Sequence, residues 1–314
     1  MTSALLIGLS AVIVSADASG PSFLSTQRGG GEPALPYGAF DPSKDRTFEL
    51  ALRGWVSAQT GFDLGYVEQL YTFGDQGRDT PGATNPEIGD QMRVISVGYL
   101  ALTPDRADVA SGFEAEWQGW YGQFPWEDHR AGRPAILTER IEPQLKTWAA
   151  GSAERTIRAQ QLFGMGDRRW SDERILERYE LLYEAGLVAE CARDAGLPID
   201  TDDVGVPMAS DHRRILATAM GRLRGKLRYR PIIFELMPQE FTLLALQRTV
   251  EAILGRQLHK QNFRRSLERS DMVEGTGKTE TATGGRPAEL FQLKHGMDAS
   301  RSNRGLSTPP VKAD

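Results

Sequence analysis

Apolar residues fill positions 4–16, ALLIGLSAVIVSA, almost without interruption. The run is too short to span a bilayer, and the MTS before it carries no Lys or Arg, as the start of a secretion signal would. Its β-branched centre predicts a buried strand, joined by the turn Asp17–Pro21 to a second strand over 22–28. After a loop rich in Gly and Pro, the period changes. Phe48, Leu52, Trp55 and Val56 fall on one face of a helix over 47–60, with Thr47 as N-cap and Gly61 as C-cap. YVEQLYTFGD (66–75) and MRVISVGYLAL (92–102) predict two further strands around a Gly- and Pro-rich loop.

Residues 104–208 differ, with helical periodicity over 136–196. Trp117, Trp120, Tyr121, Phe124 and Trp126 lead into it, and aromatics so spaced are expected in a core. Residues 211–230 predict a basic amphipathic helix with Ile215, Ala219 and Leu223 as its buried stripe, and Asp211 capping its start beside an ordinary His212. Beyond Pro231, Leu243, Leu246, Val250 and Ile253 mark a helix begun by Thr242 and ended by Gly255. A short turn, a second helix over 259–271 and a strand–hairpin–strand to 293 follow. Helix, turn, helix and hairpin in that order is a winged helix-turn-helix. The polar tail, 295–314, has a disordered composition.

Charge sharpens this division. Between His212 and Lys294, 16 Lys and Arg face 8 Asp and Glu, a net of +8 that leaves the remainder at −13 within a total of −5. A basic C-terminal part on an acidic body suits a regulator that binds nucleic acid. The lone Cys191 forms no disulfide within the chain, which fits a reducing cytosol, and the expected location is cytoplasmic, with no membrane partner.

The segment ELALRGWVSAQTGF (49–62) has the spacing of a Nudix box, G-x5-E-x7-R-E-U-x-E-E-x-G-U, in which glutamates on one helical face hold Mg²⁺. With the last glycine at Gly61, the arginine position falls on Gly54 and the clustered glutamate positions on Trp55, Ala58 and Gln59. The earlier glutamate falls on Arg46, or on Lys44 if counted from Gly38. With no acid at these places, no tight metal site and no enzymatic turnover are expected.

Several stretches together resemble the Nudix-related transcriptional regulators of NAD metabolism: RGWVSAQTGF (53–62), LYTFGDQGRD (70–79), RVISVGYLAL (93–102), FELMPQEFTLLALQRTVEAILGRQLHKQNFRRSLE (234–268) and GGRPAELFQL (284–293). The resemblance spans 4–102 and 211–294; the connection at 104–210 is longer than in typical members, as in the branch linked to repression of NAD biosynthesis. It implies an α+β chain in three parts. Residues 1–230 form a Nudix-like α/β/α sandwich with a mixed sheet and a helical insertion at about 104–210; residues 231–294 form a winged helix; 295–314 form the tail. It also implies a homodimeric repressor on double-stranded operator DNA, needing no cofactor and responding to ADP-ribose, NAD or ATP.

On the second helix, Phe263 and Leu267 face the core, with Gln261, Asn262 and Arg265 turned outward as candidates to read base edges. Lys260, Arg264 and Arg269 suit phosphates, as do Lys278 and Arg286 on the hairpin. A diphosphate needs cations, for which Arg28, Arg53, Arg78 and Arg93 are candidates; Tyr37, Tyr71 or Phe73 would stack an adenine. Two alternatives stay open: a hydrolase drawing acids from Glu87, Asp90, Glu114 or Glu116, and a constitutive DNA-binding scaffold.

Overall fold

The computed structural model describes residues 5–26, 31–61, 64–75, 93–104, 106, 115–198, 204–280 and 287–294, the side chain of Arg93 excepted. Among these residues, β1 (Leu5–Ala16), β2 (Pro21–Thr26), β3 (Tyr37–Ala39), β4 (Tyr66–Phe73), β5 (Arg93–Leu102) and β6 (Ala115–Gly119) form a mixed sheet in the order β4-β5-β1-β2-β6, with β3 also on β1. β1 and β5 run parallel, from Leu5 beside Arg93 to Val14 beside Leu102. Both strands are apolar on both faces because both faces are covered. Arg28, Arg78, Glu87, Asp90, Glu114, Arg286 and the expected tail lie outside the described residues.

One face carries α1 (Phe48–Thr60). Leu9, Ala11, Ile13, Val97, Tyr99 and Ala101 point to it and meet Ala51, Leu52 and Val56. The helix begins and ends as the sequence reading expects. The Thr47 hydroxyl accepts from Leu50 N at 3.2 Å, and Gly61 closes the last turn at φ 74°.

The other face carries the insertion and the helix after it. A π-helical turn over Leu137–Ile141 leads into α2 (Glu142–Trp148), followed by α3 (Ala153–Phe163), α4 (Ile175–Glu184) and α5 (Ala189–Asp194). Trp120, Phe124 and Trp126 are core side chains, as expected. The insertion is not wholly helical: Ala115–Gly119 is a strand that extends the sheet by pairing antiparallel with β2. Its partner lies some 90 positions upstream, so local periodicity carries no trace of it.

Helix α6 (His212–Leu227) departs further from expectation. Its buried surface is not a stripe of Ile215, Ala219 and Leu223 but most of its circumference, including Arg213, Arg224 and Lys226. A buried guanidinium must be paired. Arg213 donates to Glu190 (3.1 Å) and to the carbonyls of Gln123 and Val204, beneath the rings of Phe124, Trp126 and Tyr179. Much of the positive charge counted after His212 is therefore neutralised inside the molecule. Asp211 does not cap α6 with its side chain; it has non-extended backbone (φ −90°, ψ 15°) and its carboxylate pairs with Arg214 at 3.1 Å.

After a 3-10 turn over Ile232–Leu236 come α7 (Leu243–Leu254), α8 (Lys260–Ser270), β7 (Val273–Glu280) and β8 (Ala288–Leu293). The Thr242 hydroxyl accepts from Ala245 N at 3.1 Å. Phe241 exchanges backbone hydrogen bonds with Phe291, attaching the hairpin to the segment before α7. Leu246, Val250, Ile253, Phe263 and Leu267 belong to the same continuous core as the insertion and α6. The helix-turn-helix thus rests on the body rather than hanging from a linker.

Candidate nucleic-acid interface and nucleotide site

Helix α8 is docked through Phe263 and Leu267, 1% and 2% exposed. The outward face carries Lys260, Gln261, Arg264, Arg265 and Arg269, all exposed, with Asn262 partly so. Lys260, Arg264, Arg265 and Arg269 make no ion pair and no side-chain hydrogen bond within the described residues. Most other arginines contacting the core are spent internally. A helix surface with this set of donors can approach phosphates and the base edges of guanine and adenine. Lys278 is exposed on β7, with its ammonium 2.7 Å from Glu240, so it offers a cation already partly compensated.

The turn before α8 is held from beneath. Arg224 donates to the Ile253 carbonyl (2.8 Å), Tyr121 Oη to the Ala252 carbonyl (2.6 Å), and the backbone of His129 to the Gly255 carbonyl (2.7 Å). Glu127 receives two bonds from Arg178 (2.6 and 2.9 Å) and one from Arg224 (2.8 Å), with all three side chains fully buried. Burial alone would raise the Glu127 carboxyl, but the two guanidiniums outweigh it and hold it below the usual carboxylate value. Gly255 is forced twice over: its φ is 69°, and a Cβ there would overlap the Glu127 carbonyl oxygen.

On the opposite side of the molecule, the three clustered glutamate positions of the Nudix-like helix hold other work. The Trp55 ring lies against Gly38, where an added Cβ would come within 2.9 Å of it. Gln59 donates to the Tyr37 carbonyl at 3.0 Å, and Ala58 is exposed. Side chains that tie α1 to β3 occupy places where a hydrolase would gather carboxylates. Among the hydrolase candidates, Glu116 accepts from Gln118 on the edge strand β6.

Of the expected effector residues, the described side chains are those of Arg53, Tyr37, Tyr71 and Phe73. Arg53 is committed to Glu49 and to the carbonyls of Leu64 and Gly65. Tyr37 sits where β3, α1 and α6 meet, its ring 5.4 Å from that of His212. Tyr71 is 61% exposed, edge-on to Phe73. Phe73 itself is 1% exposed under Arg214 and packs as core, so it is withdrawn from the stacking candidates. The sequence reading missed His212 and Arg214 here. His212 Nδ1 accepts from Leu35 N at 3.1 Å, and Arg214 pairs with Asp75, Asp211 and Glu180. No spacing rule connects residues 139 or 177 positions apart.

A six-stranded mixed sheet between helices, extended by a helix-turn-helix and a wing, defines a Nudix-like domain joined to a DNA-binding winged helix. Residues 233–293 match the family described as the NrtR DNA-binding winged helix domain. The ADPR responsive transcriptional repressor NtrR of Acinetobacter baylyi is 44% identical over 86 residues, 27% of this chain and 34% of that protein. The chain thus spans about a third of the length of the curated relative it matches. Shewanella oneidensis NrtR, solved with a 27mer DNA, matches 92% of this chain and 93% of its own with a TM-score of 0.55 at 21% identity. A MutT/nudix family protein of Enterococcus faecalis matches 92% and 88% with a TM-score of 0.53 at 17% identity. These likenesses extend over the whole architecture, and at such identity they speak for the fold.

Proposed function

We propose that the protein is a transcriptional repressor of NAD-biosynthesis genes, binding operator DNA through α8 as a homodimer and sensing a nucleotide, ADP-ribose foremost, in its Nudix-like domain. The observation that carries this reading is the face of α8: four exposed cations with no ion pair among the described residues, with Gln261 and Asn262 among them, on a helix anchored by Phe263 and Leu267 in a domain of the NrtR type. Gln261, Asn262 and Arg265 read bases; Lys260, Arg264, Arg269 and Lys278 hold phosphates. Arg286, Arg28, Arg78 and Arg93 stay candidates by sequence alone. The ADP-ribose response of the Acinetobacter relative supports the choice of effector.

The sensor binds without cutting. Trp55, Ala58 and Gln59 bring no carboxylate to the helix that would seat Mg²⁺. Effector binding shifts the population between two arrangements of the dimer, of which one spaces the two α8 helices for successive major grooves. Helix α6 links the two ends: its first turn touches Tyr37 and Phe73, and its last turns grip the carbonyl of Ile253. The test is fluorescence anisotropy on a duplex selected by the protein from random sequence, titrated with ADP-ribose, NAD and ATP. ADP-ribose should change operator affinity at least fivefold. Unchanged affinity with every nucleotide would remove the sensor, and steady release of AMP from ADP-ribose with Mg²⁺ would restore the hydrolase.

A further inference from the structure

We propose that the insertion carries a second DNA contact, in which Arg168 and Arg169 bind the phosphate backbone beside the groove segment read by α8. The idea rests on the DNA-reading role of α8. Both arginines are exposed, and neither has an ion pair or a side-chain hydrogen bond within the described residues. Asp167 beside them is also exposed and pairs with neither. Within the described residues no ion pair or side-chain hydrogen bond ties this pair to the fold, yet the chain on each side is fixed. On one side, Gly164 takes a left-handed φ of 59° and Arg168 N bonds the Met165 carbonyl at 3.3 Å. On the other, the Trp170 ring covers the Arg178 guanidinium (3.9 Å) and lies 4.4 Å from the His129 ring.

These fixed points lead to the helix-turn-helix. The His129 backbone is bonded to Gly255, and Asp172, 4% exposed, pairs with Arg256 of the turn at 2.7 Å. The Asp172 carbonyl accepts from Arg224, whose Nε holds Ile253. Arg168 and Arg169 therefore stand within four residues of a side chain locked to the turn that precedes Lys260. In a helix-turn-helix the first residues of the second helix enter the major groove. Cations on a segment anchored to that turn can reach the flanking phosphates, and duplex DNA is the polyanion that this setting suits.

The full-length protein is titrated against its selected duplex by anisotropy at several salt concentrations. Replacing both residues (R168A with R169A) should weaken binding about tenfold near 0.1 M salt and lower the slope of log affinity against log salt by roughly one to two. The preference for the selected over a scrambled duplex should not change, because phosphate contacts carry no sequence information. An unchanged slope would overturn the proposal and leave α8 untouched. A control, R46A, removes an exposed cation ahead of α1 on the far face of the sheet. An equal fall in that control would reduce the effect to net charge and also overturn it. If instead the wild-type protein failed to discriminate the two duplexes, the reading of α8 itself would fall, which the same titration reports separately.

Discussion

His212 is a titratable ring in a place that tolerates only its neutral form. Burial first, and the charge of Arg193 second, push it down to about 4, while its Nδ1 must stay bare to accept from Leu35 N. His129, half-buried near Arg256, is likewise pushed down to about 4, chiefly by desolvation. A depressed histidine favours the folded state above the unfolded value, and that advantage disappears as the unfolded chain takes up protons that the folded one refuses. Stability should therefore fall as pH drops from about 6.5 toward 4, by up to about 3 kcal/mol for His212. Denaturant unfolding at pH 7 and pH 4.5 measures it. His212→Gln, which keeps an acceptor for Leu35 and loses the titration, should lose less between those two values; an equal loss would clear the ring of responsibility. The sequence marked this residue as ordinary. Its partner is 177 positions away, and no local pattern announces such a bond.

Elements that contact their neighbours through one face were legible. Helix α1, from its Thr47 cap to Gly61, and α7, from Thr242 to Gly255, follow from apolar spacing and capping chemistry. The buried pair Phe263 and Leu267 likewise fixed which side of α8 looks outward. Helix α6 was misjudged because its polar residues face inward, and periodicity counts a buried arginine as a solvated one. Strand β6 was missed because five residues hold too little pattern. For α8 the expectation is specific. Arg265→Ala should cost about 1–3 kcal/mol at one base position and relax discrimination there, measured against a panel of single-base operator variants. A loss of equal size on every variant would reassign Arg265 to the backbone.

At the scale of the molecule, what the sequence left blank was the purpose of the insertion. The buried Glu127 joins Arg178 of the insertion to Arg224 of α6, and Arg224 reaches the end of α7. Removing one member of such a group leaves uncompensated buried charge, so Glu127→Ala should destabilise by about 3–5 kcal/mol in denaturant unfolding at pH 7. Glu127→Gln, retaining an acceptor, should cost less; a loss under about 1 kcal/mol for the alanine variant would mean that water reaches the arginines. The winged helix could be read from the order and spacing of its elements, and the Nudix-like frame from its resemblance to a known family. The bond between them joins positions far apart in the chain, and only the folded molecule brings them together.

The close approach of Gly255 to the Glu127 carbonyl has a consequence for how this architecture can change. A DNA-reading module that hangs from a linker can be exchanged like a cassette, and its new owner need only supply the joint. Here the turn is moulded against a floor that belongs to another part of the chain. A graft of residues 231–294 onto a shorter relative would arrive without its floor, and a transplanted insertion would meet a turn it does not fit. The two must be inherited together.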